Sequence, residues 1–270
     1  MLAEEILQKL EVVELEKLKI HERVVEQNLF ALKETMLNIG KLIDPLIVDN
    51  KHYIVLDGNH RRKVLEELNA HYAICQPVDY YDPQIKVGGW YISTKEINFE
   101  KINGENIEYE EGLKKLNDYQ AFLMAMKKEN GETKCKILES ETHNFEGVIK
   151  EQKEFFKKNL NADLETNGNG EKILFIEDIR KDVFLDRGEV VFARKIFTKD
   201  EVIKNVLEGK IFPPKSTRHQ IPGRIVRLNF RLGYLNESKE SINIHLNEMI
   251  KKRVKYGSAR FYTEPVIVLY

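Results

Sequence analysis

Residues suited to binding an anion follow a strand pattern in the segment "VLDGNHRR" (55–62). A helix N-terminus presents free N–H groups and the positive end of the helix dipole, and guanidinium groups bind phosphate oxygens in pairs. Asp57, at the end of the strand, is a candidate magnesium ligand or a group that orients a proton. A capping Asp57 and solvent-facing arginines explain the pattern equally well. The predicted phosphate-binding residues are Gly58, Asn59, His60, Arg61 and Arg62.

A second group of donors lies in "FPPKSTRHQIPGR" (212–224). Two prolines restrict the backbone at its start, and another proline and a glycine follow. A surface loop seldom combines such stiffness with so many donors, so we interpret the segment as a binding loop rather than a plain connection. Its candidate anion-binding residues are Lys215, Ser216, Thr217, Arg218, His219 and Arg224.

Two single residues add to these segments. Glu22, in "KIHERVV" (19–25), follows a strand-like start and has the carboxylate that a general base or a metal ligand needs. An ordinary surface glutamate is the commoner explanation. Trp90, the one tryptophan, follows two glycines in "VGGWY" (87–91), which suits a flexible loop that presents an aromatic wall to a ligand. A core tryptophan explains Trp90 equally well.

The composition limits the class of protein. The chain has 270 residues, 42% of them apolar, which is ample for a packed core. The 43 lysines and arginines nearly balance the 44 aspartates and glutamates, so the overall charge does not indicate a nucleic-acid or membrane surface. Cys75 and Cys135 fit neither a zinc motif nor a disulfide framework. With no predicted signal peptide or membrane span, we expect a cytoplasmic protein.

Strand and helix patterns must position these residues. Helical spacing is predicted over 28–41 and 60–70, two strands joined by a turn over 44–58, and another strand over 72–81. Periodicity fades over 93–112, where we place a domain junction. The remainder predicts a second α+β body with helices over 145–160, 199–209 and 240–257 and a closing strand over 258–270. The predicted fold class is α+β, with domains at 1–96 and 97–270.

The combination of motifs resembles a known family. The order helix, "PLIVD", "YIVLDGNHRRKVLEEL", strand is similar to the N-terminal domain shared by ParB partition proteins and sulfiredoxin. Within that superfamily, the DG-x-HR box resembles the free-serine kinases of archaea and of staphylococcal siderophore synthesis. The His21-Glu22 pair, "STRHQIPGR" (216–224) and the closing "RFYTEPVIVLY" agree with that resemblance. Asn59 stands where sulfiredoxin has its reactive cysteine, which argues against sulfiredoxin activity.

The resemblance implies a phosphoryl transfer from ADP or ATP, with Mg²⁺, to the hydroxyl of L-serine, in a cleft between the two domains. Glu22 would be the base, with Asp57 and His60 as further catalytic residues and Asp57 as the metal ligand. Trp90 would close over a substrate bound by Ser216, Thr217, Arg218 and His219. The predicted partners are therefore small molecules, and nucleic acid is not expected.

Three alternatives stay open at this stage. One is a ParB-like, nucleotide-dependent DNA-binding protein, although ParB proteins continue with a helix-turn-helix reader and this chain continues with strands. Another is a regulator that senses phosphate without turnover. The third is a kinase for another hydroxy amino acid such as threonine, which differs from serine by one methyl group.

Overall fold

Six strands lie between residues 11 and 78: β1 (Glu11–Glu14), β2 (Lys19–Ile20), β3 (Lys41–Leu42), β4 (Leu46–Asp49), β5 (Ile54–Asp57) and β6 (Tyr72–Val78). The computed structural model describes residues 2–165 and 172–262. All but β3 form one sheet in the order β1-β6-β4-β5-β2. β4 is parallel to β6 and antiparallel to β5, and β5 is parallel to β2, so the sheet is mixed.

Alternate residues of this first sheet face two different cores. Val48 and Val55 belong to a core with α1 (Leu2–Gln8), α2 (Glu26–Ile39) and α3 (Asn59–Glu67). Ile47, Ile54 and Leu56 face the other side, where they join a cluster that contains Phe197, Val206 and Phe212 from the second half of the chain. Because strand side chains alternate between faces, the same short strands serve both cores. The apolar runs at 46–48 and 54–56 reflect this double burial.

The second sheet lies in the middle of the chain. The strands of this part of the chain are β7 (Lys86–Gly88), β8 (Trp90–Thr94), β9 (Glu105–Asn106), β10 (Ala121–Glu129), β11 (Glu132–Glu139), β12 (Leu174–Glu177) and β13 (Val190–Ala193). Six of them pair in the order β12-β8-β13-β10-β11-β9, every pair antiparallel. This sheet is also covered on both faces.

Helices cover the second sheet in two layers. The helices of this part are α4 (Tyr109–Asn117), α5 (Phe145–Leu160), α6 (Lys181–Leu185) and α7 (Lys199–Leu207). Leu123 and Phe192 face α5 through Phe156, whereas the neighbouring Met124 and Val191 join the cluster on the opposite face, which contains residues of α4 and α6. α7 packs instead into the cluster that lies against the first sheet.

The last part of the chain returns to the first core. β14 (Arg218–Gln220) pairs with β7, and β15 (Phe230–Arg231) pairs with β3. Ile242, Leu246 and Ile250 of α8 (Lys239–Lys255) are buried in the same core as Val12 and Leu65. β8, in turn, belongs to the second sheet although it precedes residue 97. A division at 96/97 therefore separates residues that share a core.

Most of the predicted elements are confirmed, including the paired strands over 44–58 and the helices α2, α3, α5, α7 and α8. The prediction that Trp90 lies on a loop is wrong, because Trp90 is the first residue of β8 and pairs with Glu177. The closing strand predicted over 258–270 lies mainly outside the described residues, which end at 262. In the described part of the chain, none of the helices has the length and apolarity that crossing a bilayer requires.

Candidate active site

Glu22 is held by a segment that lies far away in the sequence. It forms an isolated parallel bridge with Phe212. This bridge brings the N–H of Lys215 to 2.6 Å from Oε1 of Glu22. Oε2 accepts from the N–H of Thr217 at 3.3 Å and from its Oγ1 at 3.1 Å. The carboxylate is therefore oriented by three donors, all within a stretch of three residues.

The loop that holds Glu22 is stiff for identifiable reasons. Lys215 adopts a left-handed backbone conformation with φ of 59°, which side chains with a Cβ seldom take. Oγ of the buried Ser216 donates to the carbonyl of Pro213 at 2.9 Å. The guanidinium of Arg194 donates to the carbonyl of Lys215 at 3.0 Å and to Oε1 of Gln152 at 3.1 Å. These bonds fix the backbone whose N–H groups face Glu22.

Arg194 is a residue that the sequence analysis missed. It is 7% exposed, and no carboxylate of the described residues forms an ion pair with it. Burial lowers the pKa of its guanidinium to about 10, while the carboxylate of Glu22 acts in the opposite direction. The sequence signal that could have revealed Arg194 is its place directly after the apolar run Val190–Ala193, because a charged side chain buried at the end of such a run requires polar partners.

His21 lies behind Glu22 and is 2% exposed. Its Nδ1 is 2.5 Å from the carbonyl oxygen of Val55, and its Nε2 is 2.8 Å from Oγ1 of Thr217. Burial lowers the pKa of His21, although the carboxylates of Glu22 and Asp57 and the bond to Val55 act against that shift. A neutral ring with its proton on Nδ1 satisfies these contacts.

The predicted phosphate box begins with a backbone conformation that favours glycine. Gly58 has φ of 103° and is the N-cap of α3. A Cβ at this position would lie 2.9 Å from the guanidinium of Arg61, so the glycine also leaves room for that side chain. Arg61 binds Asp57 at 2.9 Å and Asp44 at 3.3 Å, and Arg224 binds the same oxygen of Asp57.

The state of Asp57 follows from these partners. Burial alone would raise the pKa of its carboxyl, but the guanidinium groups of Arg61 and Arg224 outweigh burial and bring that pKa below its usual value. Asp57 is therefore an ionised, doubly paired carboxylate. Its pairing with Arg224 joins the box to the end of the 212–224 segment.

The other residues of the box have different tasks. Asn59 contacts His21, whose backbone N–H donates to Oδ1 of Asn59 at 3.3 Å. Nε2 of His60 accepts from the N–H of Val25 at 3.0 Å, which leaves its proton on Nδ1. Burial, with the nearby cations Lys215 and Arg61, lowers the pKa of His60, so this ring is a neutral donor. Arg62 instead pairs with Glu66 along α3 at 2.7 Å.

Trp90 lies against the loop from the side of the second sheet. Its indole N–H donates to the carbonyl of Thr217 at 3.0 Å. The ammonium of Lys215 lies 4.3 Å from the centre of its ring, a cation–π contact. Trp90 is thus a fixed wall of the site that contacts the loop directly.

Arg218 and His219 lie on β14. Arg218 pairs with Glu177 at 3.1 Å, and its second terminal nitrogen is buried with no hydrogen-bond partner among the described residues. Nε2 of His219 is 2.8 Å from the hydroxyl of Tyr80. Burial is the largest cause that brings the pKa of His219 well below its usual value. Both residues directly follow Thr217, which Glu22 and His21 contact.

Among the described residues of the site, the carboxylate of Glu22 has no lysine or arginine partner, whereas that of Asp57 is already paired with two guanidinium groups. Such a set can bind an anion and accept a proton at adjacent points. Within the ranges that the structure describes, no three His, Cys, Asp or Glu side chains converge as ligands of a metal ion. The arrangement suits transfer of an anionic group to an acceptor that loses a proton.

Comparison with known proteins relates the chain to kinases. No family model matches the chain. The ADP-dependent L-serine kinase of Thermococcus kodakarensis is 30% identical over 226 residues, which are 82% of this chain and 90% of that protein. The ATP-dependent L-serine kinase of Staphylothermus marinus is 30% identical over 230 residues, which are 78% and 84% of the two chains.

Solved structures agree with these sequences. A variant of free serine kinase in complex with ADP superposes with a TM-score of 0.63 at 28% identity, over 84% of this chain and 94% of that one. A C-terminally truncated SbnI from Staphylococcus aureus gives a TM-score of 0.64 over 92% of this chain and 98% of that one. Its identity is 16%, so this second likeness concerns the fold alone.

Proposed function

The chain belongs to the family of nucleotide-dependent L-serine kinases, and we propose that it transfers the terminal phosphoryl group of ADP or ATP to the hydroxyl of L-serine, giving O-phospho-L-serine. The observation that carries this proposal is the position of Glu22, whose carboxylate lies where the two anion-binding segments meet. Lys215 and Thr217 hold it from one side, and His21 joins it to Asn59 of the box on the other. The relatives support this reading over the DNA-binding and regulatory alternatives.

The box at the start of α3 binds the phosphates of the nucleotide. The transition state of phosphoryl transfer spreads negative charge over the equatorial oxygens, so the protein acts mainly by positioning and by neutralising charge. The free N–H groups at the start of α3, Nδ1 of His60 and the guanidinium of Arg61 supply donors for that charge. Gly58 lets the phosphate approach the backbone. Asn59 and Arg62 shape the box rather than touch the phosphate, since both bind neighbouring residues.

Glu22 is the general base. The hydroxyl of serine is a poor nucleophile at neutral pH, so a carboxylate must accept its proton while the bond to phosphorus forms. Glu22 has a carboxylate that no cationic side chain of lysine or arginine pairs with in the described structure. Its three donors orient it without neutralising it.

The loop and β14 bind the amino acid. Trp90, Thr217, Arg218 and His219 line this side, and the unpaired nitrogen of Arg218 suits the carboxylate of the substrate. Ser216 contributes through its backbone, because its hydroxyl is bound to Pro213. The ranges 1–96 and 97–270 would supply the two walls of the cleft, except that Trp90 of the first range lies on the second wall, and the first wall would be of the ParB/sulfiredoxin type.

The described residues do not favour a magnesium ion bound directly by the protein. Asp57, the predicted ligand, already accepts from two guanidinium groups, and the described residues offer no converging set of further ligands. The residues present do not fit a metal centre built by the protein, so no step is derived from one. Magnesium enters the proposal as the ion that accompanies nucleotide phosphates.

The assay that tests the function supplies the purified protein with magnesium, L-serine and either ADP or ATP. O-phosphoserine and the nucleotide product are then followed by mass spectrometry. We expect O-phosphoserine together with AMP from ADP, or ADP from ATP, and the productive nucleotide identifies the donor. L-threonine in a parallel reaction tests the acceptor.

Two outcomes would contradict the proposal. Binding of nucleotide with no phosphorylated amino acid would indicate a sensor. Duplex-DNA affinity that falls steeply with salt, again without phosphoserine, would indicate a DNA-binding protein. An inactive Glu22→Gln variant is the control for contaminating kinases.

A further inference from the structure

We propose that Thr217 and His21 form a proton relay behind Glu22, which holds the proton that the base takes from the acceptor hydroxyl. This inference rests on the proposed function. It assigns a role to a buried histidine that the phosphoryl transfer itself does not use. His21 and Thr217 act through Glu22 and are positioning residues in this sense.

Three groups lie in a row with hydrogen-bonding distances between them. Oε2 of Glu22 is 3.1 Å from Oγ1 of Thr217, which is 2.8 Å from Nε2 of His21. The direct distance between Nε2 and Oε2 is 3.8 Å, too long for a hydrogen bond. The hydroxyl of Thr217 is therefore the link between the carboxylate and the imidazole.

The hydrogen bonds around this row need one more proton than the neutral groups supply. Nδ1 of His21 lies 2.5 Å from the carbonyl oxygen of Val55 and 3.1 Å from Nδ2 of Asn59, and the shorter contact, to a group that only accepts, places the first proton of the ring on Nδ1. The hydroxyl of Thr217 has one proton and two acceptors, Nε2 and Oε2. With Glu22 ionised and His21 neutral, one of these two contacts lacks a donor. One additional proton, on Oε2 or on Nε2, gives every contact a donor.

The surroundings suit a proton that moves rather than a fixed charge. Burial of His21 disfavours an imidazolium. The carboxylates of Glu22 and Asp57 favour one. Burial outweighs the carboxylates and lowers the pKa of His21, which brings the imidazole toward the range of a carboxylic acid, the condition for sharing a proton.

The transfer step balances as follows. The Oγ–H bond of serine breaks and its proton passes to Glu22, while Oγ forms a bond to the terminal phosphorus. The bond from that phosphorus to its bridging oxygen breaks, and the electron pair stays on the AMP or ADP that leaves. Glu22 then gives a proton to Oγ1 of Thr217, and Thr217 gives its own proton to Nε2 of His21. The proton returns to solvent along the same route when the product departs.

A purely structural role for Thr217 is the competing explanation, because its hydroxyl also orients Glu22. The two explanations differ in what happens to proton affinity. A relay shares the proton, so the Glu22–Thr217–His21 unit binds it more tightly than Glu22 alone does. Removing the hydroxyl should then lower the apparent pKa of the acid limb of kcat, whereas a structural role lowers kcat at every pH equally.

The test compares wild type with Thr217→Val and Thr217→Ser in two measurements. In the pH profile of kcat, we expect Thr217→Val to lose roughly 10- to 100-fold and to move the acid limb down by about one pH unit, the size of one hydrogen bond. Thr217→Ser should keep the limb in place. An acid limb that stays fixed in Thr217→Val would overturn the proposal.

The second measurement does not need turnover. In ¹⁵N NMR of the histidine side chains, Nε2 of His21 should respond to pH together with Glu22 in the wild type and lose that link in Thr217→Val and in Glu22→Gln. A His21 signal that titrates identically in all three proteins would refute the relay. If the wild type forms no phosphoserine, the proposed function fails while this second measurement still decides whether the proton is shared. If Thr217→Val does not fold, His21→Gln replaces it in the pH profile, with the same expected direction and the same contrary result.

Discussion

The two halves of the site are built in opposite ways. The box at the start of α3 depends on ion pairs that are partly exposed: Asp57 and its partner Arg224 from the 212–224 segment are 37% and 38% exposed, and Arg61 is 14% exposed. The loop that holds Glu22 is buried, with Ser216, Thr217 and Arg194 between 4% and 7% exposed. Salt bridges bind the first half together, whereas backbone N–H and carbonyl groups bind the second.

This difference predicts whether each half controls nucleotide binding or turnover. Partly exposed ion pairs are weak, so Asp57 can give up a guanidinium group to an arriving phosphate at little cost. Buried hydrogen bonds cannot be exchanged so easily, because any group that loses its partner stays away from water. We therefore expect changes in the box to alter nucleotide binding and changes around the loop to alter turnover.

The largest expected effect is that of Glu22→Gln. Glutamine keeps the size of the side chain but does not accept the proton, so kcat should fall about 10²- to 10⁴-fold. Nucleotide affinity, measured by the fluorescence of the one tryptophan, should be unchanged. Glu34→Gln, an exposed position on α2, is the matched control. Preserved turnover in Glu22→Gln would remove Glu22 from the role of base.

Substituting the two arginines of the box in turn distinguishes nucleotide binding from a structural role. Arg61→Gln should raise the KM for the nucleotide about tenfold or more, since a charged donor to the phosphate is worth roughly 1.5–3 kcal/mol. Arg62→Gln should have little effect, because Arg62 pairs with Glu66 on the helix surface. Steady-state kinetics with varied nucleotide measures both. Equal effects of the two substitutions would contradict this division of roles.

Arg194→Met tests the stiffness of the loop. Its loss leaves Gln152 and the carbonyl of Lys215 without their donor and costs about 1–3 kcal/mol of unfolding free energy. We expect kcat to fall about tenfold, with the KM for the nucleotide nearly unchanged. Arg180→Met, an exposed position, is the control in the same urea titration. An Arg194→Met variant with altered nucleotide KM and normal kcat would place Arg194 with the box instead.

The smallest effect concerns pH and stability. The pKa values of His21, His60 and His219 are all lowered, with burial as the largest cause. The unfolded chain therefore binds protons below pH about 6.5 that the folded chain does not, so stability is full above that pH and is lost as the pH falls. The urea midpoint should decrease between pH 7.5 and 5.5. A midpoint that rises over this range would show that these rings are charged in the folded protein.

Local segments of the site could be predicted because the signal lies in contiguous residues. The strand β5, the glycine at 58 and the helix α3 follow one another in "VLDGNHRR", and each has a local reason to form. The segment 212–224 stands out through its prolines and donors in the same way, and its role in binding stays a prediction. The strand position of Trp90 could not be predicted, since it depends on pairing within the second sheet, and neither could the role of Arg194, which depends on a bond to the carbonyl of Lys215.

The sequence by itself therefore determined the chemical groups, the helices and strands that carry them, and the resemblance to serine kinases. Only the tertiary structure decided that Lys215 and Thr217 bind Glu22 across 193 and 195 positions, that Arg62 pairs with Glu66, and that the ring of His21 contacts Thr217. The physical reason is that periodicity and capping act over a few residues, whereas a carboxylate finds its donors through space, wherever the packing of two sheets brings them.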